Sequence, residues 1–505
     1  MYPGAYDPAR PAVVTADGTT TLTYGELEEN SLRLAAHLRA QGLRRGDHLA
    51  LLSDNDPRVM EVYWAAMRSG LYLTAVNHHL AAEEAAYIVR DCGAGTLIVS
   101  GALRELGDRV AESVPQVTHR LGFDDGTYDA ALRAASAEPP DAQPRGADML
   151  YSSGTTGRPK GIEPTLPDGD IRTDPTTYQL LFQPMYGFGE DTVYLCPAPL
   201  YHAAPLRFCG TIHATGGTVV LMKSFDAQGA LEAIERHRVT HSQWVPTMFV
   251  RMLKLPRDMR ERYDTSSMRV AIHAAAPCAV EVKRRMMAWW GPVLYEYYAA
   301  TEGNGITFIS PEEWLRRPGS VGRAGLLGEL RICDEEGKAL PPGETGVVYF
   351  ERDELPFRYH RDDDRTREAQ HPDHPNWTTT GDIGHVDDDG YLYLTDRKAF
   401  TIISGGVNIY PQEIEDCLVL HPAVADVAVI GVPDEEMGES VHAVVQAAEG
   451  AAPGPELGQR LIAYLRERIA HYKVPRDVEF VTSLPRTPTG KLAKGKLRSA
   501  AQGAG

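Results

Sequence analysis

Residues 149–162 read Met-Leu-Tyr-Ser-Ser-Gly-Thr-Thr-Gly-Arg-Pro-Lys-Gly-Ile. Met149, Leu150 and Tyr151 have the apolar, part-aromatic character of a strand end. Ser152, Ser153, Gly154, Thr155, Thr156 and Gly157 follow. Hydroxyls and bare backbone N–H groups are what a loop offers to phosphate oxygens, and glycine allows close approach. Lys160 adds a point charge for the same anion. No Ser or Thr follows that lysine and the glycine spacing differs, so this is not the P-loop pattern. A polar surface loop is the plain alternative for any Ser/Gly cluster, and the decision falls to later segments.

At 505 residues the chain exceeds the ~250–300 residues that one core normally serves. Hydrophobic content of 43% and charged content of 24% are those of an ordinary globular protein. A net charge of −18 argues against nucleic acid or an anionic membrane as the main partner. An anionic nucleotide then needs a local positive site, which the loop supplies. The six cysteines show no CxxC and no metal-ligand spacing, which fits scattered thiols in a reducing compartment. With no signal segment and no 18-residue apolar run, the expectation is a cytoplasmic protein without a membrane span.

Around the loop, hydrophobic periodicity alternates. It predicts a helix over Tyr24–Arg39 capped by Thr23, a strand over His48–Leu52 and a helix over Pro57–Ser69. Downstream it predicts strand Thr218–Met222, helix Ala227–His237 and strand His241–Val245. Residues 164–175 read as a surface excursion, and 319–396 as short strands with turns between them. After Arg397 comes a compact αβ segment with helix Pro411–Val419. Such βα alternation implies parallel, helix-covered sheets.

Five segments complete the pattern: Pro199–Ala203 (PLYHA), Tyr295–Gly303 (YEYYAATEG), Thr380-Gly381-Asp382, Asp396–Glu415, and Pro485–Lys491 (PRTPTGK). With the opening loop they resemble, in order and over nearly the whole chain, the core motifs of the adenylate-forming superfamily. That group includes acyl-CoA synthetases, adenylation domains and luciferases. The resemblance implies an α/β fold with a large N-terminal domain, residues 1–396. This would hold two doubly wound α/β subdomains and a small β-barrel-like piece. A small mobile α+β C-terminal domain, residues 397–505, would follow.

It also implies an ATP-dependent acyl-CoA ligase using ATP, Mg²⁺ and coenzyme A on a hydrophobic, non-amino carboxylic acid, with a homo-oligomer possible. Tyr298 stacks on the base, and Ala275, Ala276 and Pro277 border the adenine. Thr301 meets the α-phosphate, Glu302 carries Mg²⁺, and Asp382 and Arg397 take the ribose. Lys491 bridges carboxylate and α-phosphate. His202 resembles a gate to an acyl pocket formed by Trp244, Ala274 and Tyr297. Gly405 and Gly406 leave room for the pantetheine arm. Lys494 and Lys496 are expected to be solvated.

Three positions depart from the family's commoner sequence. Ala399 occupies the hinge position often filled by Asp or Lys, which bears on the domain rotation. Ile-Glu-Pro follows the phosphate loop where many relatives have His or Thr, and Ala274 replaces a glycine beside the adenine. Two rivals stand beside the ligase. One is a free-standing adenylation enzyme that loads a separate carrier protein, or a ligase specialised for one half-reaction. The other is a nucleotide sensor without catalysis.

Overall fold

The computed structural model describes residues 2–152, 159–434, 436–486 and 492–502. Two parallel α/β layers form its larger part. A five-stranded, all-parallel sheet runs in the order His119–Gly122, Thr96–Val99, His48–Leu52, Tyr72–Val76, Ala147–Asp148. The second sheet has nine strands. Its parallel centre, Leu294–Ala299, Val270–His273, His241–Trp244, Val193–Cys196, Thr218–Leu221 and Pro11–Thr15, is edged by antiparallel strands. Strands such as Tyr72–Val76 and His241–Trp244 are buried at every position, as a sheet covered on both faces requires.

Local chemistry explains the elements. Thr23 caps helix Tyr24–Ala40 in a capping box: its hydroxyl accepts from the Glu26 amide while the Glu26 carboxylate accepts from the Thr23 amide. Helix Ala227–His237 starts on the Asp226 side chain, which accepts from the Gly229 amide at 2.6 Å. The surface excursion expected at 164–175 is partly an anchor. Ile171 is fully buried and its amide donates to the Gln143 carbonyl.

A smaller antiparallel sheet holds Glu329–Cys333, Gly346–Glu351, Asp382–Val386 and Leu392–Arg397, with Trp377–Thr378 beside it. A last sheet is built from Val407–Ile409, Ile402–Ser404, Gly438–Ala447 and Val424–Asp434, with Asp477–Val481 alongside. It encloses its own core around Ile414, Leu461, Val441, Ala443 and Val445.

A lysine joins the two parts, and further polar contacts brace the second of them. Lys254 Nζ donates to the carbonyls of Val424 and Ala425 at 2.7 and 3.0 Å. The closing helix, Lys494–Gln502, lies against strand Val424–Asp434. Lys494 is not solvated as expected: it is 5% exposed and pairs with Glu415 at 2.8 Å. From the same helix Arg498 Nη1 donates to the Ala399 carbonyl at 2.8 Å, and Nη2 to Glu439 Oε1 at 2.6 Å. Glu439 also accepts from the Ile403 amide at 2.9 Å, so one carboxylate ties the helix to strand Ile402–Ser404. Among the described residues no helix is long and apolar enough to cross a membrane.

Candidate functional site

A continuous cleft of about 2200 Å³ runs between the sheets and the C-terminal part. Most of the expected site residues line it: Ser152 and Lys160 on one side, Ala274 to Pro277 on another, then Tyr297, Tyr298, Thr301, Glu302, Asp382, Arg397 and His202. Ser153, Gly154, Thr155, Thr156, Gly157 and Lys491 lie outside the described residues. The loop's ends are held by an antiparallel ladder that pairs Ser152 with Lys160 and Leu150 with Ile162.

The corner where Tyr298, Asp382 and Arg397 meet is the best defined. Strand Leu294–Ala299 ends in Tyr298 and Ala299, and the Tyr298 hydroxyl donates to Asp382 Oδ2 at 2.7 Å. Thr380 Oγ1 donates to the same oxygen at 2.8 Å, and Arg397 Nε donates to Oδ1 at 3.0 Å. Asp382 and Arg397 are registered partners on neighbouring strands, which puts the two side chains together. The Asp382 charge raises the Arg397 guanidinium above its ordinary value. Tyr298 also stacks beside Phe350, with centroids 6.0 Å apart.

Beside the ladder at Lys160, Tyr359 donates its hydroxyl to Glu302 Oε1 at 2.9 Å, and Lys160 Nζ stands 5.4 Å from the Tyr359 ring centroid. Burial, then the neighbouring Arg365, lowers the Lys160 ammonium. Sequence reasoning misses Tyr359, which sits in a two-residue strand paired with Ile162. No group of three or more acidic, His or Cys side chains that could hold a metal occurs among the described residues. Glu302 alone fits an ion held mostly by phosphate oxygens and water, the usual Mg²⁺ arrangement.

The wall formed by Ala274 to Pro277 carries strain. Ala275 has φ +75°, in the left-handed region that a side chain normally avoids. Behind it Lys283 is fully buried and pairs with Glu296 at 2.6 Å, and His273 Nε2 is 3.4 Å from the same carboxylate oxygen. That buried pair ties helix Val280–Trp290 to the strand carrying Tyr298.

Elsewhere on the cleft wall Tyr297 accepts from Gln243 Nε2 at 3.0 Å and lies beside Phe182 and Phe208. Trp244 borders the cleft, is 1% exposed, donates to Ser242 Oγ at 2.6 Å and packs on Phe249 and Trp290. Its neighbour Gln243 lines the cleft as well. Arg207, Asp148 and Tyr178 also line the cleft, and no motif in the sequence marks them.

Gly405 and Gly406 are not among the cleft-lining residues. They form the two-residue turn between Ile402–Ser404 and Val407–Ile409, with φ +57° and +78°. Both central residues of such a hairpin turn need positive φ, which is itself a reason for two glycines.

Residues 4–358 match the family model described as AMP-binding enzyme, and 413–491 match the AMP-binding enzyme C-terminal domain. The chain is 35% identical over 493 residues to a feruloyl-CoA synthase of Amycolatopsis sp, covering 96% of this chain and 95% of that one. It is 33% identical over 488 residues to the indoleacetate–CoA ligase of Aromatoleum aromaticum, covering 94% and 92%. The ATP-bound structure of MatB from Rhodopseudomonas palustris superposes with a TM-score of 0.83 at 30% identity, covering 98% and 96%. The motifs, the fold and the meeting of Tyr298, Asp382 and Arg397 agree with these likenesses, and the chain belongs to the AMP-binding enzymes of the adenylate-forming superfamily.

Proposed function

We propose that the protein is an ATP-dependent acid–CoA ligase for hydrophobic carboxylic acids. The observation that supports this most is the meeting of Tyr298, Asp382 and Arg397, brought from separate strands to hydrogen-bonding distance at one end of the cleft. In the first step the acid's carboxylate attacks the α-phosphate of ATP, giving acyl-AMP and pyrophosphate. In the second the thiol of coenzyme A displaces AMP. Holding the two reactants in line is the main gain from binding.

In this reading Tyr298 stacks on the adenine, Asp382 and Arg397 hold the ribose, and Thr301 meets the α-phosphate. The loop 152–157 and Lys160 hold the other phosphates. Mg²⁺, when bound at Glu302, supplies positive charge on those oxygens. Lys491 neutralises charge in the adenylation step. His202, at the start of helix Ala203–Ala214, separates nucleotide from acyl pocket. The segment from 397 onward turns as a unit between the steps, and Gly405 and Gly406 approach the pantetheine arm in the second pose.

The test is pyrophosphate release over a panel of fatty, aryl and polycyclic acids, followed by thioester formation with coenzyme A. Release that depends on acid and ATP, with thioester appearing on adding coenzyme A, is the expected result. Release without thioester from free coenzyme A would instead favour a carrier protein as acceptor.

A further inference from the structure

One side chain, Tyr359, engages two groups that the proposed reaction uses. It belongs to the two-residue strand Arg358–Tyr359, which pairs with strand Lys160–Glu163 so that Tyr359 lies opposite Ile162. The next amide, of His360, donates to the Gly161 carbonyl at 2.8 Å. Tyr359's own amide donates to Thr366 Oγ1 at 3.0 Å, and Phe357 meets its ring edge-on with centroids 5.2 Å apart. Backbone and ring are thus fixed without the hydroxyl.

That hydroxyl donates to Glu302 Oε1 at 2.9 Å, and the ring carries Lys160 Nζ 5.4 Å from its centroid, within the range of a cation–π contact. Glu302 and Lys160 both line the cleft, and among the described residues they form no ion pair. The ammonium lies on the ring and the carboxylate on the hydroxyl of the same side chain. Burial, then the Glu302 charge, holds the Tyr359 phenol far above its ordinary value, so it is a neutral donor. A neutral donor orients Glu302 without cancelling its charge. A lysine or arginine in its place would orient the carboxylate and also weaken its pull on a hard cation. With Oε1 engaged, Oε2 is the oxygen left for that cation, and donors behind metal-binding carboxylates set their orientation in this way.

We infer that Tyr359 is a positioning residue that orients Glu302 toward the Mg²⁺ of bound ATP and keeps Lys160 from pairing with that carboxylate. The inference rests on the Mg²⁺ role given to Glu302 above.

The test measures ATP binding by calorimetry without any acid substrate, once with excess MgCl₂ and once with EDTA. It compares wild type, Tyr359→Phe, Glu302→Gln and the double variant. Mg²⁺ should tighten wild-type binding by roughly 10-fold or more, and Tyr359→Phe should lose most of that gain, on the scale of about 10- to 100-fold seen for partners behind metal ligands. Its affinity in EDTA should stay close to that of wild type. In the Glu302→Gln background the same substitution should change nothing further. Equal weakening with and without Mg²⁺ would make Tyr359 a packing residue and overturn the inference. An undiminished Mg²⁺ gain in Tyr359→Phe, or a full additional loss on top of Glu302→Gln, overturns it as well. In each of these cases acid-dependent pyrophosphate release by the wild type leaves the ligase reading standing. No Mg²⁺ gain in the wild type overturns the role of Glu302 and this inference with it. Wild type against Tyr359→Phe decides even if the Glu302 variants fail to fold.

Discussion

Tyr298 Oη donates to Asp382 Oδ2 across 2.7 Å, joining the residue expected on the base to the residue expected on the ribose. Tyr298→Phe keeps the ring and removes the bond, leaving a buried carboxylate one donor short. The loss should be about 1–2 kcal/mol, read as a rise in KM for ATP of roughly 5- to 30-fold, with little change in KM for the acid. An unchanged KM for ATP would separate this pair from nucleotide binding.

Lys491→Ala should slow acyl-AMP formation by roughly 10²–10³-fold, the scale of one lost transition-state charge partner. Conversion of pre-made acyl-AMP to thioester should persist. Equal loss of both steps in a folded variant would contradict its assignment to adenylation alone.

Gly406 occupies φ +78°, and a Cβ there meets nothing within 4 Å. Substitution therefore acts through the backbone and through whatever approaches from outside. Gly406→Leu should lower thioester formation while pyrophosphate release continues. Gly406→Asn, better tolerated at positive φ, should cost less stability than Leu, as thermal unfolding can show. Unchanged coenzyme A turnover in the Leu variant would remove this turn from the pantetheine path.

Glu61 accepts from Asn30 Nδ2 at 2.9 Å and from Tyr128 Oη at 2.7 Å, and burial pushes its carboxyl up to about 7. The native state therefore keeps a proton that the unfolded chain releases near 4.5. Stability falls as pH rises between those values and levels off above about 7. The displacement corresponds to about 3 kcal/mol. Glu61→Gln should flatten this slope. Denaturant unfolding at pH 5 and pH 8 measures it, and an equal slope in both proteins would assign the dependence to other groups.

Much of the fold is legible because its signals are local. Thr23 and Glu26 mark a helix start within four residues, and helix Ala227–His237 is readable to its ends. The site is legible only where motifs carry a family resemblance. Arg207 and Asp148 are 59 positions apart, and no periodicity connects them. Trp244 and Gln243 both border the cleft, and every residue of their strand is buried, so alternation does not tell which face meets the ligand. Lys494 reads as solvated because its partner Glu415 belongs to a distant helix.

Arg498, on the closing helix, donates to the carbonyl of Ala399 from 99 positions downstream. An alanine offers no side chain through which its own neighbours could hold this carbonyl, and the contact comes from the closing helix instead. If the segment from 397 onward turns as proposed, an appendage that unwinds helix Lys494–Gln502 would leave Tyr298, Asp382 and Arg397 together and still alter that turning. Where a purification tag is attached then becomes a probe of the proposed motion.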